Sequence, residues 1–279
     1  IIYNWVTFNH ITKLARLAVK ISAYIIAYNE VEKIRDCINS VLWVDEIIVA
    51  DSNSDDGTTE IAESLGAKVV HIPFKGYGDL RNQAVSYCSN EWILSIDSDE
   101  RCTEQVRDEI LSLIINAPLD IYQIPRQNYF MGKWIKHSGW YPNYRQPQLF
   151  RAKKMSYSLE PVHEGYINHS NKAIGVIQNS IWQFPFKNTE EIINKANRYS
   201  TLGAMKLNDV GKKGSVYIAF IHALWSFIKH YFFKLGFLDG GAGLVIAFGN
   251  FEGTFYRYIK LTEKQSNWKP PSTKPILKK

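Results

Sequence analysis

The residues best suited to chemistry stand together in Ile96-Asp97-Ser98-Asp99-Glu100, a run with three carboxylates. Carboxylates this close repel one another unless a cation is shared among them. Hard Mg²⁺ or Mn²⁺ takes one or two carboxylates and fills the rest of its shell with water and phosphate oxygens, so an aspartate pair here can hold a diphosphate through the metal. The alternative is an acidic turn that caps the next helix, because a bare Asp-x-Asp also arises by chance.

Three further segments carry polar side chains in a pattern that fits a ligand: Tyr28-Asn29-Glu30, the run Asp51-Ser52-Asn53-Ser54-Asp55-Asp56-Gly57-Thr58, and Gly76-Tyr77-Gly78-Asp79-Leu80-Arg81-Asn82. Asp51 can accept from a base or ribose donor, and Ser and Gly let backbone and ligand approach closely. A turn and N-cap built from small polar residues is the competing reading of that loop. In the third segment glycines precede a helix whose N-terminus favours phosphate, with Arg81 adding charge. Neither G-x-x-x-x-G-K-[ST] nor G-x-G-x-x-G occurs, which weighs against nucleotide triphosphatases and dinucleotide-dependent dehydrogenases.

Loops of this kind need a scaffold that brings them to one edge. From Ile21 onward, short apolar runs at 21–27, 46–50, 68–72 and 92–96 are predicted strands. Between them, Val31, Ile34, Ile38 and Val41 share one helix face, 58–65 forms a helix closed by Gly66, and 80–87 forms a third. This alternation specifies an α/β fold, a mostly parallel sheet flanked by helices with right-handed crossovers. Ligands of such sheets bind beyond the carboxyl ends of the strands, where all the polar motifs fall.

Farther on, Thr103 is a predicted N-cap, 121–130 and 146–151 are predicted strands, and the Trp-, Tyr- and Gly-rich stretch 131–144 has the character of a substrate-facing loop. Beyond Asn179 the pattern turns helical. Tyr217, Phe220, Leu224, Ile228, Tyr231 and Leu235 share one face of a broad amphipathic helix over 217–235, and Asp239 sits at a turn between two helices. The expected organisation is a basic amphipathic segment at 1–20, a catalytic domain at 21–178, a helical appendage at 179–262 and a disordered basic tail at 263–279.

Taken together, Ile25-Ile26-Ala27-Tyr28-Asn29-Glu30, Asp51-Ser52-x-Ser54-x-Asp56-Gly57-Thr58, Gly78-x-x-Arg81-Asn82-x-Ala84 and Asp97-x-Asp99-Glu100 resemble family 2 glycosyltransferases with the GT-A fold. Val162-His163-Glu164 and Gly236-Phe237-Leu238-Asp239-Gly240 resemble, more narrowly, the branch that adds glucose to heptose in the lipopolysaccharide inner core. The resemblance implies that Asp51 and Asp97 contact the nucleoside and Asp99 the metal, that Asn29 and Glu30 line the base pocket with Tyr28, and that Ser54 and Arg81 belong to the donor site. It implies an inverting transfer with Glu164 as the base that takes the acceptor proton. His163 is placed in the metal set, with a phosphate contact and a structural role as the other readings open to it. Trp140 and Arg145 are candidates for the acceptor, by stacking on a sugar face and pairing with phosphate, although aromatic clusters also serve packing. Gln148, where that branch implies arginine, and Gln183-Phe184, where it implies a histidine-tyrosine pair, depart from the pattern and put the acceptor in question. The Q-x-x-R-W signature of processive synthases is missing, which favours transfer of a single sugar.

Charge and cysteine content narrow the setting. A net charge of +6 favours an anionic partner. No zinc-finger spacing or RNP-like motif occurs, so nucleic acid is not an expected partner. Cys37, Cys88 and Cys102 are odd in number and fall in predicted helices or at element edges, which argues for a reducing cytosol rather than a disulfide framework. No signal-peptide succession and no run of about 18 uncharged apolar residues is found, so the chain is expected neither to be secreted nor to span a membrane. Lys212, Lys213, Lys229 and Lys234 around the amphipathic helix point to a peripheral enzyme on the inner face of the cytoplasmic membrane. The expected partners are a nucleotide sugar, UDP-glucose in the first instance, and a lipid-linked oligosaccharide acceptor. A nucleotide-sugar or glycan-binding scaffold without catalysis, or another donor on the same fold, is the alternative.

Overall fold

The computed structural model describes residues 19–142, 144, 146–159 and 165–266. These fall into two compact units, one reaching Tyr129 and resuming over Tyr141–Pro185, the other made of Phe130–Trp140 and the chain from Phe186 on.

The first unit is the α/β body. Strands β1 (Ile21–Ala27), β2 (Glu46–Asp51), β3 (Lys68–His71) and β4 (Trp92–Asp97) alternate with helices α1 (Ile34–Ser40), α2 (Thr58–Ser64) and α3 (Tyr77–Ser86). Strand β1 pairs in parallel with both β2 and β4, and β2 with β3. After β5 (Glu100–Arg101) and α4 (Glu104–Leu113), the sheet is completed by β6 (Ile121–Gln123), by β9 (Pro147–Arg151), which runs antiparallel between β4 and β6, and by β12 (Gly175–Val176). Seven strands therefore lie in the order β12-β6-β9-β4-β1-β2-β3.

Both faces of β1 are buried, which explains why it reads as a continuous apolar run rather than an alternating one. Ile21, Ala23 and Ile25 pack in one cluster with Ile34, Cys37 and Ile38 of α1 and Val106 and Ile110 of α4. Tyr24 joins Leu80 and Ala84 of α3 in the other. The predicted termini hold at two helices. Gly66 ends α2 at φ +82°, a conformation that suits glycine, and the Thr103 hydroxyl caps α4 by accepting the Val106 N–H at 3.3 Å.

Three expectations are corrected. The strand predicted over 121–130 is two: β6 ends at Gln123, and β7 (Arg126–Phe130) belongs to a separate sheet, where it runs parallel to β13 (Ile181–Gln183), itself antiparallel to β5. Pro125 stands at the break, where a residue without an N–H cannot continue the ladder. Helix does not begin directly after Asn179, since β13 intervenes and α5 (Thr189–Asp209) starts behind its N-cap Asn188. The stretch 131–144 is not simply a loop. It contains β8 (Lys133–Trp134), and in the second unit Ile135 is fully buried with Phe130, Ala242 and Ile246. A hairpin of β10 (Met155–Tyr157) with β11 (Tyr166–Asn168) completes the strands.

The second unit is otherwise helical. Its elements are α5, then α6 (Val216–Ile228), a π-helical turn at Lys229–Phe233, a 3₁₀ turn at Gly236–Asp239 and α7 (Gly241–Ser266). Asp239 does stand between two helices, but as an anchor: its carboxylate accepts the N–H groups of Lys136 and His137 and the Ser138 hydroxyl, the last at 2.8 Å. Gly243 packs so closely on the Gly236 carbonyl that an added Cβ would lie 1.8 Å from the oxygen. By length and composition the 18-residue stretch Val216–Phe233 could cross a bilayer.

All three cysteines are free thiols. Burial pushes Cys88 and Cys102 up to about 12 and Cys37 well above its ordinary value. The thiolate is the reactive form, so the folded chain near neutral pH should show no fast-reacting thiol toward an aromatic disulfide reagent, and all three should react once it is denatured. A native thiol labelled as fast as free cysteine would contradict this packing.

Candidate active site

The first two polar loops are built into each other. Asn29 turns through φ +54°, a left-handed conformation that asparagine tolerates. Its N–H donates to Ser54 Oγ at 2.9 Å, and its Oδ1 accepts the Asp55 N–H at 3.0 Å. Glu30 N–H donates to Thr58 Oγ1 at 2.8 Å and Val31 N–H to the Asp56 carboxylate at 3.0 Å. Slight burial works to raise the Asp56 carboxyl, but the Thr58 hydroxyl and the N–H groups of Val31 and Thr58 hold it below the usual range.

Asp51, fully buried at the end of β2, closes this frame. Its carboxylate accepts both the N–H and the hydroxyl of Ser54, and His71 Nδ1 lies 3.3 Å away. Tyr28 is 62% exposed at the rim, and Glu30 pairs with Lys33 at 3.3 Å. The loop after β1 is thus held in place by the loop after β2, with Tyr28 left exposed.

The acidic motif ends β4, and its three carboxylates are sorted by environment. Glu100 points inward and is fully buried. It pairs with Arg126 of β7, accepts Gln148 Nε2 at 2.8 Å and accepts the Asp97 N–H at 3.0 Å. Burial pushes the Glu100 carboxyl above its usual range, and the Arg126 guanidinium opposes that push. Asp97 accepts Arg81 Nη2 at 2.7 Å, while its backbone carbonyl accepts the Cys37 thiol. Arg81 and Arg126 supply counter-charge to Asp97 and Glu100, and Glu100 braces the turn from behind. Asp97 and Asp99 remain on the half-buried side. Both oxygens of Asp99 lie 3.3 Å from Gln183 Nε2, and its carbonyl accepts the Phe184 N–H at 2.8 Å.

Arg81 itself is buried on α3 rather than displayed at the helix N-terminus. It also donates to Ser95 Oγ at 3.2 Å and lies over the Tyr157 ring, whose hydroxyl bonds that of Tyr24 at 2.6 Å. Burial alone would lower its pKa, but Asp97 and the two phenols raise it well above the ordinary value, so the guanidinium keeps its charge. At the start of α3, Lys75, Gly76, Gly78, Asp79 and Leu159 line a pocket of about 190 Å³. Gly78 is required there, because a Cβ would sit 1.9 Å from the Ser158 carbonyl oxygen.

Of the remaining sequence candidates, Trp140 packs in the second unit against Phe130 and Phe186, each with ring centres 6.0 Å away. His163, Glu164 and Arg145 lie outside the described residues. Sequence reasoning missed the supporting residues Arg126, Gln148 and Gln183 as parts of the site. Two of them carried a signal, since Gln148 and Gln183 stand where the resemblance departs from its pattern, and both contact the acidic motif. Arg126 carried none, because only the break at Pro125 turns its strand toward Glu100.

Residues 22–168, more than half of the chain, match the family described as Glycosyl transferase family 2. An uncharacterized glycosyltransferase of Rickettsia felis is 32% identical over 88% of this chain and 90% of its own length. The lipopolysaccharide core biosynthesis glycosyltransferase LpsC of Rhizobium meliloti is 30% identical over 82% of this chain and 89% of its own. Among solved structures, glucosyl-3-phosphoglycerate synthase of Mycobacterium tuberculosis, in complex with Mn²⁺, uridine diphosphate and glucosyl-3-phosphoglycerate, is 24% identical with a TM-score of 0.37. That match covers 42% of this chain and 47% of the other, so the chain spans under half the length of that protein. With a mostly parallel sheet carrying acidic and polar loops at its carboxyl edge, and with two relatives matched over most of their length, the chain belongs to glycosyl transferase family 2 and has the GT-A fold.

Proposed function

We propose that this glycosyltransferase moves one hexose, glucose from UDP-glucose in the first instance, to a heptose of a lipid-linked or lipopolysaccharide-core acceptor, with inversion at C1 and with Mg²⁺ or Mn²⁺. The observation that carries the reading is the sorted acidic motif: Glu100 is spent on bracing the turn, which leaves Asp97 and Asp99 on its half-buried side. Among the described residues no group of three His, Cys, Asp or Glu side chains gathers as a metal cluster. A carboxylate such as that of Asp99 fits a hard divalent ion that shares its shell with phosphate oxygens and water. When bound, such an ion offsets charge on the departing nucleotide diphosphate.

In this proposal the chain's own residues do the rest. Asp99 holds the metal with His163, and Asp97, kept in place by Arg81, contacts the nucleoside, so that Arg81 serves the donor through Asp97. Tyr28, Asn29 and Glu30 border the base, with Asp51 and Ser54 fixing their loop. Glu164 takes the proton of the acceptor hydroxyl while that oxygen attacks C1 on the face opposite the leaving group. Trp140 and Arg145 are proposed for the acceptor. The name of the LpsC relative supports a lipopolysaccharide-core acceptor, and the lysines around α6 support work at the inner face of the cytoplasmic membrane.

The test is release of UDP from UDP-glucose by the purified chain with Mn²⁺ or Mg²⁺ and a heptose-bearing acceptor, with a thermal-shift screen of other donors, whose binding should raise stability. If no UDP- or ADP-sugar is bound or turned over, the reading is wrong. Glu164→Gln should lower kcat about a hundredfold with little change in donor affinity, in keeping with loss of a general base. Near-normal kcat in that variant would remove Glu164 from the role.

A further inference from the structure

We propose that the second unit seats itself on an anionic lipid surface through α6 and the turns that follow it, embedded in one leaflet and not spanning the bilayer. The inference deepens the membrane part of the proposed function, and it rests on that reading only for where the acceptor is met. Its evidence is in the packing of α6 and in the charge of the segment.

The only buried residues of α6 are Ala219 and Ala223. Ser226 Oγ donates to the Asn250 carbonyl, and at the other end Gly214 N–H donates to Gln265 Oε1, which sets α6 antiparallel along α7. Two alanines let the helices approach closely, and the bulky side chains are turned outward. Tyr217 is 74% exposed, Trp225 54% and Phe233 68%, and Phe220, Phe232 and Leu238 are more than half exposed as well. A row of large apolar side chains left in water on consecutive elements marks a binding surface.

Charge selects the occupant. Between residues 211 and 238 there is no Asp or Glu, while Lys212 and Lys213 precede α6 and Lys229 and Lys234 follow it. A second copy docked on this face by twofold symmetry would bring lysines toward lysines, which disfavours self-association. A membrane with anionic headgroups meets both requirements, since rings enter the interface while lysine stems reach back to headgroup level. Crossing is disfavoured by the charged and polar side chains it would carry inward, since Val216–Phe233 contains His222, Lys229 and His230. Glu252, Arg257 and Lys260 lie on the part of α7 that runs alongside α6, and a spanning pair would carry them into hydrocarbon.

The test is flotation of the full chain with phosphatidylglycerol–phosphatidylcholine vesicles and with pure phosphatidylcholine vesicles, with no donor, metal or acceptor present. The chain should float with the anionic vesicles, less so at high salt, and only weakly with the neutral ones. Phe232→Asp combined with Phe233→Asp should reduce vesicle binding at least about tenfold, and Lys229→Glu combined with Lys234→Glu about tenfold, with the melting temperature of each kept. Catalytic failure with intact flotation would sink the transfer reading and leave this one standing. Absence of flotation, or equal binding to both kinds of vesicle that ignores the lysine variant, overturns the proposal. So does a dimer in light scattering that the aspartate pair dissociates while the unaltered chain binds no vesicles.

Discussion

Asp99→Asn should lower metal-dependent transfer about a thousandfold and leave the melting temperature within about 2 °C, because it removes one charge from a half-buried side chain and keeps its size and shape. Asp99 is half-buried, and its carbonyl keeps the Phe184 N–H whatever the side chain. An asparagine retains one oxygen for Gln183 Nε2, which lies 3.3 Å from both oxygens of the carboxylate. An amide lacks the charge with which Asp99 would help hold a divalent cation, and a weakly held cation would offset less of the charge on the leaving diphosphate. UDP release measured across a series of Mn²⁺ concentrations, beside Mn²⁺ binding followed by electron paramagnetic resonance, separates lost affinity from lost turnover. A variant with near-normal kcat and an unchanged Mn²⁺ titration would end the case for Asp99 as a metal ligand.

Arg126→Met acts on the fold beneath the same motif. Glu100 is buried with Arg126 as its cationic partner, and its carboxylate also takes the Asp97 N–H and Gln148 Nε2. Taking away the guanidinium leaves a carboxylate whose burial already pushes it toward protonation, and stranding one member of a buried pair costs about 3–5 kcal/mol. The expected result is a drop of that size in the free energy of unfolding by denaturant. Glu100→Gln made together with Arg126→Met should recover much of it, since the neutral amide needs no counter-charge. A loss below about 1 kcal/mol in the single variant would mean that the pair does not brace the turn.

The parallel body of the sheet was legible because its signals are local. A strand buried on both faces must be apolar throughout, as residues 21–27 are, and Gly66 and Thr103 mark helix ends by their own backbone and hydroxyl chemistry. The polar loops were legible for the same reason, since strand-to-helix connections of a parallel sheet gather at one edge wherever the sheet exists. Where the reading failed, the deciding partner was far away in the chain. The strand expected over 121–130 divides because its two halves pair in different sheets, and 131–144 has a packed core because Asp239, about a hundred residues on, collects its N–H groups.

By itself, the sequence determined a parallel α/β fold with an acidic motif at the end of its fourth strand, because short-range periodicity and residue type suffice for that, while the glycosyltransferase reading came from the family its motifs resemble. Only the tertiary structure decided what each acidic side chain does. Asp97, Ser98, Asp99 and Glu100 are neighbours in sequence, yet Glu100 is turned to Arg126 and Gln148, Asp97 to Arg81, and Asp99 to Gln183. Those partners lie 16 to 84 residues away, and the protonation and orientation of a buried carboxylate depend on the groups around it in space.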